Sequence, residues 1–269
     1  RQTFSLHDDL TISLNYLCKR SIKLSRLAEE SKPNTLIKVL EFGAGTGILS
    51  GDILECFKSF DKNNVKGRLL SMEYDSVYAD YLLKKYDNEL EFTFLQEDSK
   101  VYDPPGKFDL IYSSFADHHI IRNEKNAREY FSNIQINLHQ GSKYIVGDEF
   151  LPEHDYKNPQ ERIKALKKYH SHIIDKANDD YNMANDSKNR ALIQELIELE
   201  NEALESGIRA VENPDDPNSG DFKVSLKHYQ ERLKGTGLKI VGEPTRIGPQ
   251  DDALSEEVGG IYVIEIKLA

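Results

Sequence analysis

The sequence predicts an α/β protein built on a mostly parallel sheet with helices on both faces. Three observations carry this expectation. Five short apolar runs rich in β-branched residues lie between residues 36 and 146, with segments of helical periodicity in three of the four intervals between them. The first of these runs ends in a turn with three glycines. The last two apolar runs have no helical segment between them, which predicts an antiparallel pair at one edge.

The elements follow in order. Leu10, Leu14, Leu17, Leu24 and Leu27 recur at helical spacing and predict an amphipathic N-terminal arm, which Pro33 and Asn34 break. Leu36 to Phe42 has the length and residue types of a buried parallel strand. Ile48, Ile53, Cys56, Phe57 and Phe60 then mark a helix face, and Asp61 to Asn64 ends it. Arg68 to Glu73 is the second strand; Lys62 to Gly67 before it reads as a loop insertion. A helix follows over Ser76 to Tyr86, with Tyr78, Tyr81 and Leu82 inward. Leu90 to Gln96 and Phe108 to Tyr112 are the third and fourth strands, with a turn at Pro104-Pro105-Gly106 between them. Ala127, Tyr130, Phe131, Ile134 and Leu138 share a helix face that Gly141 is expected to cap. Lys143 to Val146 is the fifth strand.

The rhythm changes after Glu149. Two helical stripes follow without a clear strand: Ile163, Leu166, Tyr169, His170, Ile173 and Ala177, then Leu192, Ile193, Leu196, Leu199, Ala203 and Leu204. Residues 212–220 read as a loop. A helix with Leu226, Tyr229 and Leu233 stops at Gly235 and Gly237, and strands are expected at Leu238 to Val241 and Gly260 to Ile266. The expected organisation is an N-terminal helical arm over 1–34, a core over 35–150, a helical cap over 151–220, and the rest of the sheet over 221–269.

Composition narrows the function classes. With 35 Lys and Arg against 46 Asp and Glu in 269 residues, the formal net charge is −11, so a polyanion is disfavoured as the main partner. The apolar runs are too short to span a membrane, and Arg1 to Leu10 lacks the apolar core of a secretory signal. The chain opens on Arg1 without an initiator Met, so it is expected to be trimmed. Its two cysteines, Cys18 and Cys56, stand far apart, which excludes a disulfide framework and fits a cytoplasmic protein.

The most informative segment is Val39-Leu40-Glu41-Phe42-Gly43-Ala44-Gly45-Thr46-Gly47. A strand running into a glycine turn that opens a helix lets a ligand approach the backbone and its N–H groups. The dinucleotide fingerprint GxGxxG would need a third glycine where Ile48 stands. The GxGxG spacing, with an acid two positions before it, resembles motif I of the class I S-adenosylmethionine-dependent methyltransferases. That resemblance covers roughly 36–149 and 222–269. It implies a Rossmann-like three-layer sandwich with a seven-stranded, mostly parallel sheet and an antiparallel last strand.

The resemblance also implies roles for particular residues. Glu41 would lie near the methionine part of S-adenosylmethionine, with Phe42, Gly43, Ala44, Gly45 and Gly47 lending backbone groups. Glu73, followed by Tyr74, closes the second strand where the family accepts hydrogen bonds from both ribose hydroxyls. A carboxylate offers a vicinal diol two acceptor oxygens. Asp98 would take the adenine amino group, with the Ser99 backbone beside it. The acceptor would sit beyond the fourth strand, where the chain reads Ser114-Phe115-Ala116-Asp117-His118-His119, with Ser114 and Phe115 expected against the cofactor.

Methyl transfer needs a base when the acceptor must lose a proton. A His with a carboxylate partner is suited to that task, so His118, His119 and Asp117 are the candidate catalytic residues. Glu149, at the end of the fifth strand, and Tyr169 and His170, on the first cap helix, are candidate substrate residues. In the family an insertion of this kind often roofs the acceptor pocket. Asp117, His118, His119, Glu149 and His170 are of metal-ligand type, but their spacing enforces no convergence and no metal is expected.

The expected activity is transfer of a methyl group from S-adenosyl-L-methionine to O or N of a small molecule, leaving S-adenosyl-L-homocysteine. A protein or RNA acceptor, a non-catalytic cofactor-binding protein, and a cofactor-assisted rearrangement are the alternatives. No nucleic acid or membrane partner is expected; a homodimer through the N-terminal helices or the cap is possible.

Overall fold

The computed structural model describes residues 24–58, 60, 64–99, 106–214, 220–248 and 255–269. Most of the expected N-terminal arm and the loop at 215–219 lie outside them. Of the arm, helix α1 (Leu24–Glu30) is described, with Leu24 and Ala28 buried. Over the described residues the chain forms two units.

The first unit takes in residues up to 148, together with 232–245 and 263–269. Its elements are β1 (Leu36–Phe42), α2 (Ile48–Lys58), β2 (Lys66–Met72), α3 (Ser76–Tyr86), β3 (Phe92–Leu95), β4 (Phe108–Ser114), α4 (Asp117–Ile120), α5 (Glu124–Asn137) and β5 (Leu138–Phe150). Near the C-terminus come β6 (Leu238–Ile240), β7 (Thr245–Gly248) and β8 (Gly260–Leu268), the last two divided between this unit and the second. The sheet order is β3-β2-β1-β4-β5-β8-β6, with β7 beside β8. Strands β1 to β5 pair in parallel, and β6 and β8 are antiparallel, as expected. The described sheet thus has one strand more than the seven expected, because Thr245–Gly248 gives no apolar run in the sequence.

The order places β1 between β2 and β4. The chain leaves β1 towards β2 on one side and returns through β4 on the other, so a crevice opens at the carboxyl ends of these strands. Central β1 is largely buried, with Val39, Leu40 and Phe42 wholly inside. Two asparagines in the left-handed region set the start of β1 and β2: the Asn34 N–H donates to the Asn64 carbonyl at 2.7 Å.

Several expectations are corrected. Lys66 and Gly67 belong to β2 and not to a loop. Gly67 is needed there because a Cβ would fall 2.2 Å from the Phe57 ring of α2. On α3 the buried stripe is Ala79, Leu82 and Tyr86, so Tyr78 and Tyr81 face solvent. On α2, Leu49 and Leu54 are inside and Ile48 is exposed. Helix α5 ends at Asn137 with Leu138 as its extended C-cap, and Gly141 (φ +95°) lies within β5.

The second unit comprises 149–231 and 246–262. It is dominated by α6 (Pro159–Met183) and α7 (Ser187–Glu212), followed by α8 (Leu226–Leu233), which runs to the unit's boundary; the short α9 (Ser255–Val258) comes later. Asn158 caps α6 by accepting from the Gln160 N–H at 3.0 Å, with Pro159 in the first turn. Asp186 caps α7 through the Asn189 N–H at 2.8 Å. Leu151, Ala165, Leu166, Tyr169 and Ile173 pack with Leu204 and Val211; Ala177 and Ala184 pack with Ile193 and Leu196. These pairings make α6 and α7 an antiparallel hairpin. Gly207 permits their close approach, since a Cβ would lie 2.9 Å from Leu166. Among the described residues no helix is long and apolar enough to cross a membrane.

Candidate functional site

The glycine turn after β1 holds Gly43, Gly45 and Gly47 at φ of +62°, +51° and +72°. Two of the three are explained by packing. A Cβ on Gly43 would fall 2.3 Å from that of Ala116, and one on Gly47 would fall 2.3 Å from Leu82 and 2.9 Å from Tyr86. A Cβ on Gly45 would meet nothing within 4 Å. This glycine presents its backbone to open space, as a turn that admits a ligand must. The Ala44 N–H donates to the Met72 carbonyl at 3.0 Å, and the Tyr86 hydroxyl to the Gly47 carbonyl at 2.6 Å. Burial pushes that phenol up to about 12, so it stays a donor.

Glu73 follows directly on β2 and reaches over this turn. Its Oε2 accepts from the Gly45 N–H at 2.8 Å and its Oε1 from the Asp75 N–H at 3.0 Å. Glu41 is placed differently. The register pairs it with Ser71 of β2, so both side chains point to the same face. Its Oε2 accepts from the Ser71 hydroxyl at 2.6 Å and from the Ser50 hydroxyl of α2 at 2.5 Å. The residue is 2% exposed, and burial is the main reason its carboxyl is pushed up to about 7. Phe42 is wholly buried, its ring 5.5 Å from that of Tyr130, so only its backbone lies near the turn. Tyr74 is 75% exposed beside Glu73.

Asp98 is half-buried three residues past β3, and Ser99 beside it is buried. Sequence reading missed the group that holds this segment. Asn133 of α5 donates its amide to the Ser99 carbonyl at 2.7 Å.

Beyond β4 the chain turns sharply. Ser114 ends the strand and Phe115 adopts φ +53°, a conformation strained for a bulky residue. Its N–H donates to the Gly147 carbonyl of β5 at 2.8 Å. Asp117 is buried in a cluster of hydroxyls. Its Oδ1 accepts from Ser113 at 2.6 Å, Tyr144 at 2.7 Å and Tyr130 at 2.9 Å. Burial and the Asp117 charge push the Tyr130 phenol well up, so it remains a neutral donor.

The carboxylate that grips His118 is Asp148, thirty residues on and one past Gly147 in the β4–β5 register. Its Oδ1 lies 2.5 Å from His118 Nδ1, and its Oδ2 accepts the His118 backbone N–H at 3.0 Å. Both groups are buried. A carboxylate acceptor at Nδ1 places a proton on that nitrogen. The His119 ring lies 4.0 Å from that of His118, on an exposed residue.

Glu149, Tyr169 and His170 belong to the second unit. The Tyr169 hydroxyl donates to Glu149 Oε1 at 2.9 Å, bringing two of the three together. The His170 Nδ1 lies 2.7 Å from Glu200 of α7 instead. The sequence reading also missed Lys223, which is buried, lies 3.0 Å from Glu149 and pairs with Asp221. Burial pushes its ammonium down, but Glu149 and Asp221 more than reverse this and hold it above the usual lysine range. No motif marked it, since the segment forms no regular element and Glu149 stands far away in the chain. Among the described residues, no cluster of three or more His, Cys, Asp or Glu forms a metal site.

No family model matches the chain. It is 30% identical over 118 residues to a protein of Bacillus thuringiensis (strain Al Hakam) named an uncharacterized methyltransferase, covering 44% of this chain and 49% of that protein. The chain thus spans about half the length of the curated relatives it matches. Among solved structures, the DszA carbon methyltransferase superposes with a TM-score of 0.56 at 14% identity, over 94% of this chain and 53% of that one. A S-adenosylmethionine-dependent methyltransferase from Clostridium acetobutylicum ATCC 824 gives 0.52 at 12% identity, over 86% and 83%. Identities this low speak for the fold.

Proposed function

We propose that the chain is a class I S-adenosylmethionine-dependent methyltransferase that methylates O or N of a small molecule, a reading supported by its fold and by its partial likeness to a protein named a methyltransferase. The observation that carries this reading is the open backbone face of Gly45, with Glu73 fastened to its N–H at the crevice of the parallel sheet. The residues fit the ligand's chemistry. The turn lets a ligand approach the open Gly45 backbone closely, Glu73 offers acceptor oxygens to ribose hydroxyls, and Asp98 offers them to an exocyclic amine. The acidic surroundings suit a sulfonium and an ammonium group.

When bound, S-adenosylmethionine supplies an electrophilic methyl carbon. The chain supplies position and a base. His118 takes the proton of the acceptor hydroxyl or amine on Nε2, while Asp148 fixes the ring and stabilises the imidazolium. Asp117, held by three hydroxyls, anchors the turn that carries His118.

Calorimetric titration with S-adenosylhomocysteine tests the shared premise: binding is expected, and its absence overturns the reading. Formation of S-adenosylhomocysteine from S-adenosylmethionine with a metabolite extract then tests transfer. Loss of that product in His118→Ala, with homocysteine-analogue affinity kept, separates an enzyme from a binding protein.

A further inference from the structure

We infer that Asn133 is a positioning residue for purine recognition in this chain, acting through the Ser99 carbonyl; the inference rests on the binding reading above and deepens it. The segment after β3 needs outside support. β3 is four residues long and stands at the end of the sheet order, and none of its residues is fully buried. A short edge strand does little to fix the dihedrals of residues three and four positions past its end. Asn133 supplies the constraint from a fourteen-residue helix packed on the core, donating Nδ2 to the Ser99 carbonyl at 2.7 Å.

Asn133 is itself oriented. Its Oδ1 accepts from the Asn137 amide at 2.8 Å, and the same amide donates to the Asn133 carbonyl at 2.9 Å. Both asparagines are buried. An Asn 34 residues beyond Ser99 along the chain has no reason in helix propensity to stand inside α5, where Asn competes with the backbone. Here its two ends are assigned: the oxygen to Asn137, the amide to Ser99. A carbonyl fixed at Ser99 fixes the turn that carries the Asp98 carboxylate and the Ser99 N–H. Those two groups together accept from an amine and donate to an adjacent ring nitrogen, the edge that adenine presents and hypoxanthine does not.

The test compares S-adenosylhomocysteine with S-inosylhomocysteine by calorimetry on the full chain. The wild type is expected to prefer the adenosyl ligand. Asn133→Asp keeps the oxygen that meets Asn137 but loses the donor to Ser99, and is expected to cut that preference by roughly three- to tenfold. Asn137→Ala releases Asn133 without touching Ser99 and is expected to shift the preference in the same direction by less. Thermal melts report folding of each variant, and a purely structural role would weaken both ligands equally. A wild type that binds, with the preference unchanged in both variants, overturns this inference alone. A wild type that binds neither ligand overturns the binding reading as well.

Discussion

Replacing Glu41 by Gln is the change whose size can be worked most fully from the structure. The carboxyl is buried between β1, β2 and α2, and it accepts from Ser50 and Ser71. Burial raises it from the ordinary 4.5 to about 7; the two hydroxyls pull it down, and the charge of Glu73 pushes it up. The folded chain therefore holds a proton between these values that the unfolded chain has lost. With more protons bound in the folded state, stability falls as pH rises. Its contribution is complete below pH 4.5 and is lost as pH passes about 7. At 1.36 kcal/mol per pH unit, the difference is about 3 kcal/mol. Gln stays neutral throughout, and its carbonyl oxygen can accept from both serines. An unpartnered amide would cost about 1–3 kcal/mol at every pH and so would not change the slope. Urea unfolding of both proteins at pH 5, 6, 7 and 8 isolates the residue, because every other group titrates in both. The wild type is expected to lose about 2.5 kcal/mol more than Glu41→Gln across that range, the remainder having gone below pH 5. Parallel curves would refute the placement of Glu41 as a buried, neutral-leaning acid.

Asp148→Asn removes a charge-assisted bond to His118, so product formation should fall roughly 10- to 150-fold while S-adenosylhomocysteine affinity, read by calorimetry, stays within about twofold. Gly47→Ala should destabilise the protein by about 2 kcal/mol or more in urea, since its Cβ meets Leu82 at 2.3 Å. Gly45→Ala meets open space, so its cost in urea should be smaller, and its loss of S-adenosylhomocysteine affinity larger than that of any packing variant. Lys223→Met removes a buried ammonium from beside Glu149 and Asp221 and should cost about 3–5 kcal/mol in urea unfolding; adding Asp221→Asn and Glu149→Gln should recover part of it.

The sheet and its crevice were legible because buried parallel strands are written as apolar runs and their turns as glycines. Helix α3 was legible to the residue, starting at an Asp75 cap and ending at Tyr86. What the sequence hid was phase and long-range partnership. Tyr78 and Tyr81 look like core residues by size, yet the inward stripe runs through small Ala79 to Leu82 and Tyr86. Gly141 looks like a helix cap, but α5 stops at Asn137, where the chain passes straight into β5. The His118 partner was misassigned for the same reason. Asp117 is next to it in the chain, but on α4 consecutive side chains diverge, and Asp117 turns into the core. Asp148 reaches His118 through strand register, which sequence adjacency cannot express. Lys223 lay outside every motif, because a buried lysine is defined by its acids, and one of these stands seventy-four positions away.

Asp117 and Asp148 show how environment divides labour between two equally buried carboxylates. Each is 2% exposed, and each sits at the carboxyl end of the sheet. The hydroxyls of Ser113, Tyr130 and Tyr144 donate to Asp117. Such donors hold their protons at any working pH, and Tyr130 is pushed further in that direction by the very charge it binds. Asp117 therefore has no proton-exchanging partner among these three; it ties α4 to α5 and β5 and keeps the strained Phe115 turn in place. Asp148 binds a ring nitrogen and the backbone N–H of one residue, so it fixes His118 in both position and tautomer. A base that must meet a proton on an acceptor held by other elements gains most from such constraint, because its misplacement by an ångström costs far more than a small change in basicity. The first carboxylate fixes where the turn stands, the second fixes how the ring stands on it, and the chemistry proposed for His118 requires both.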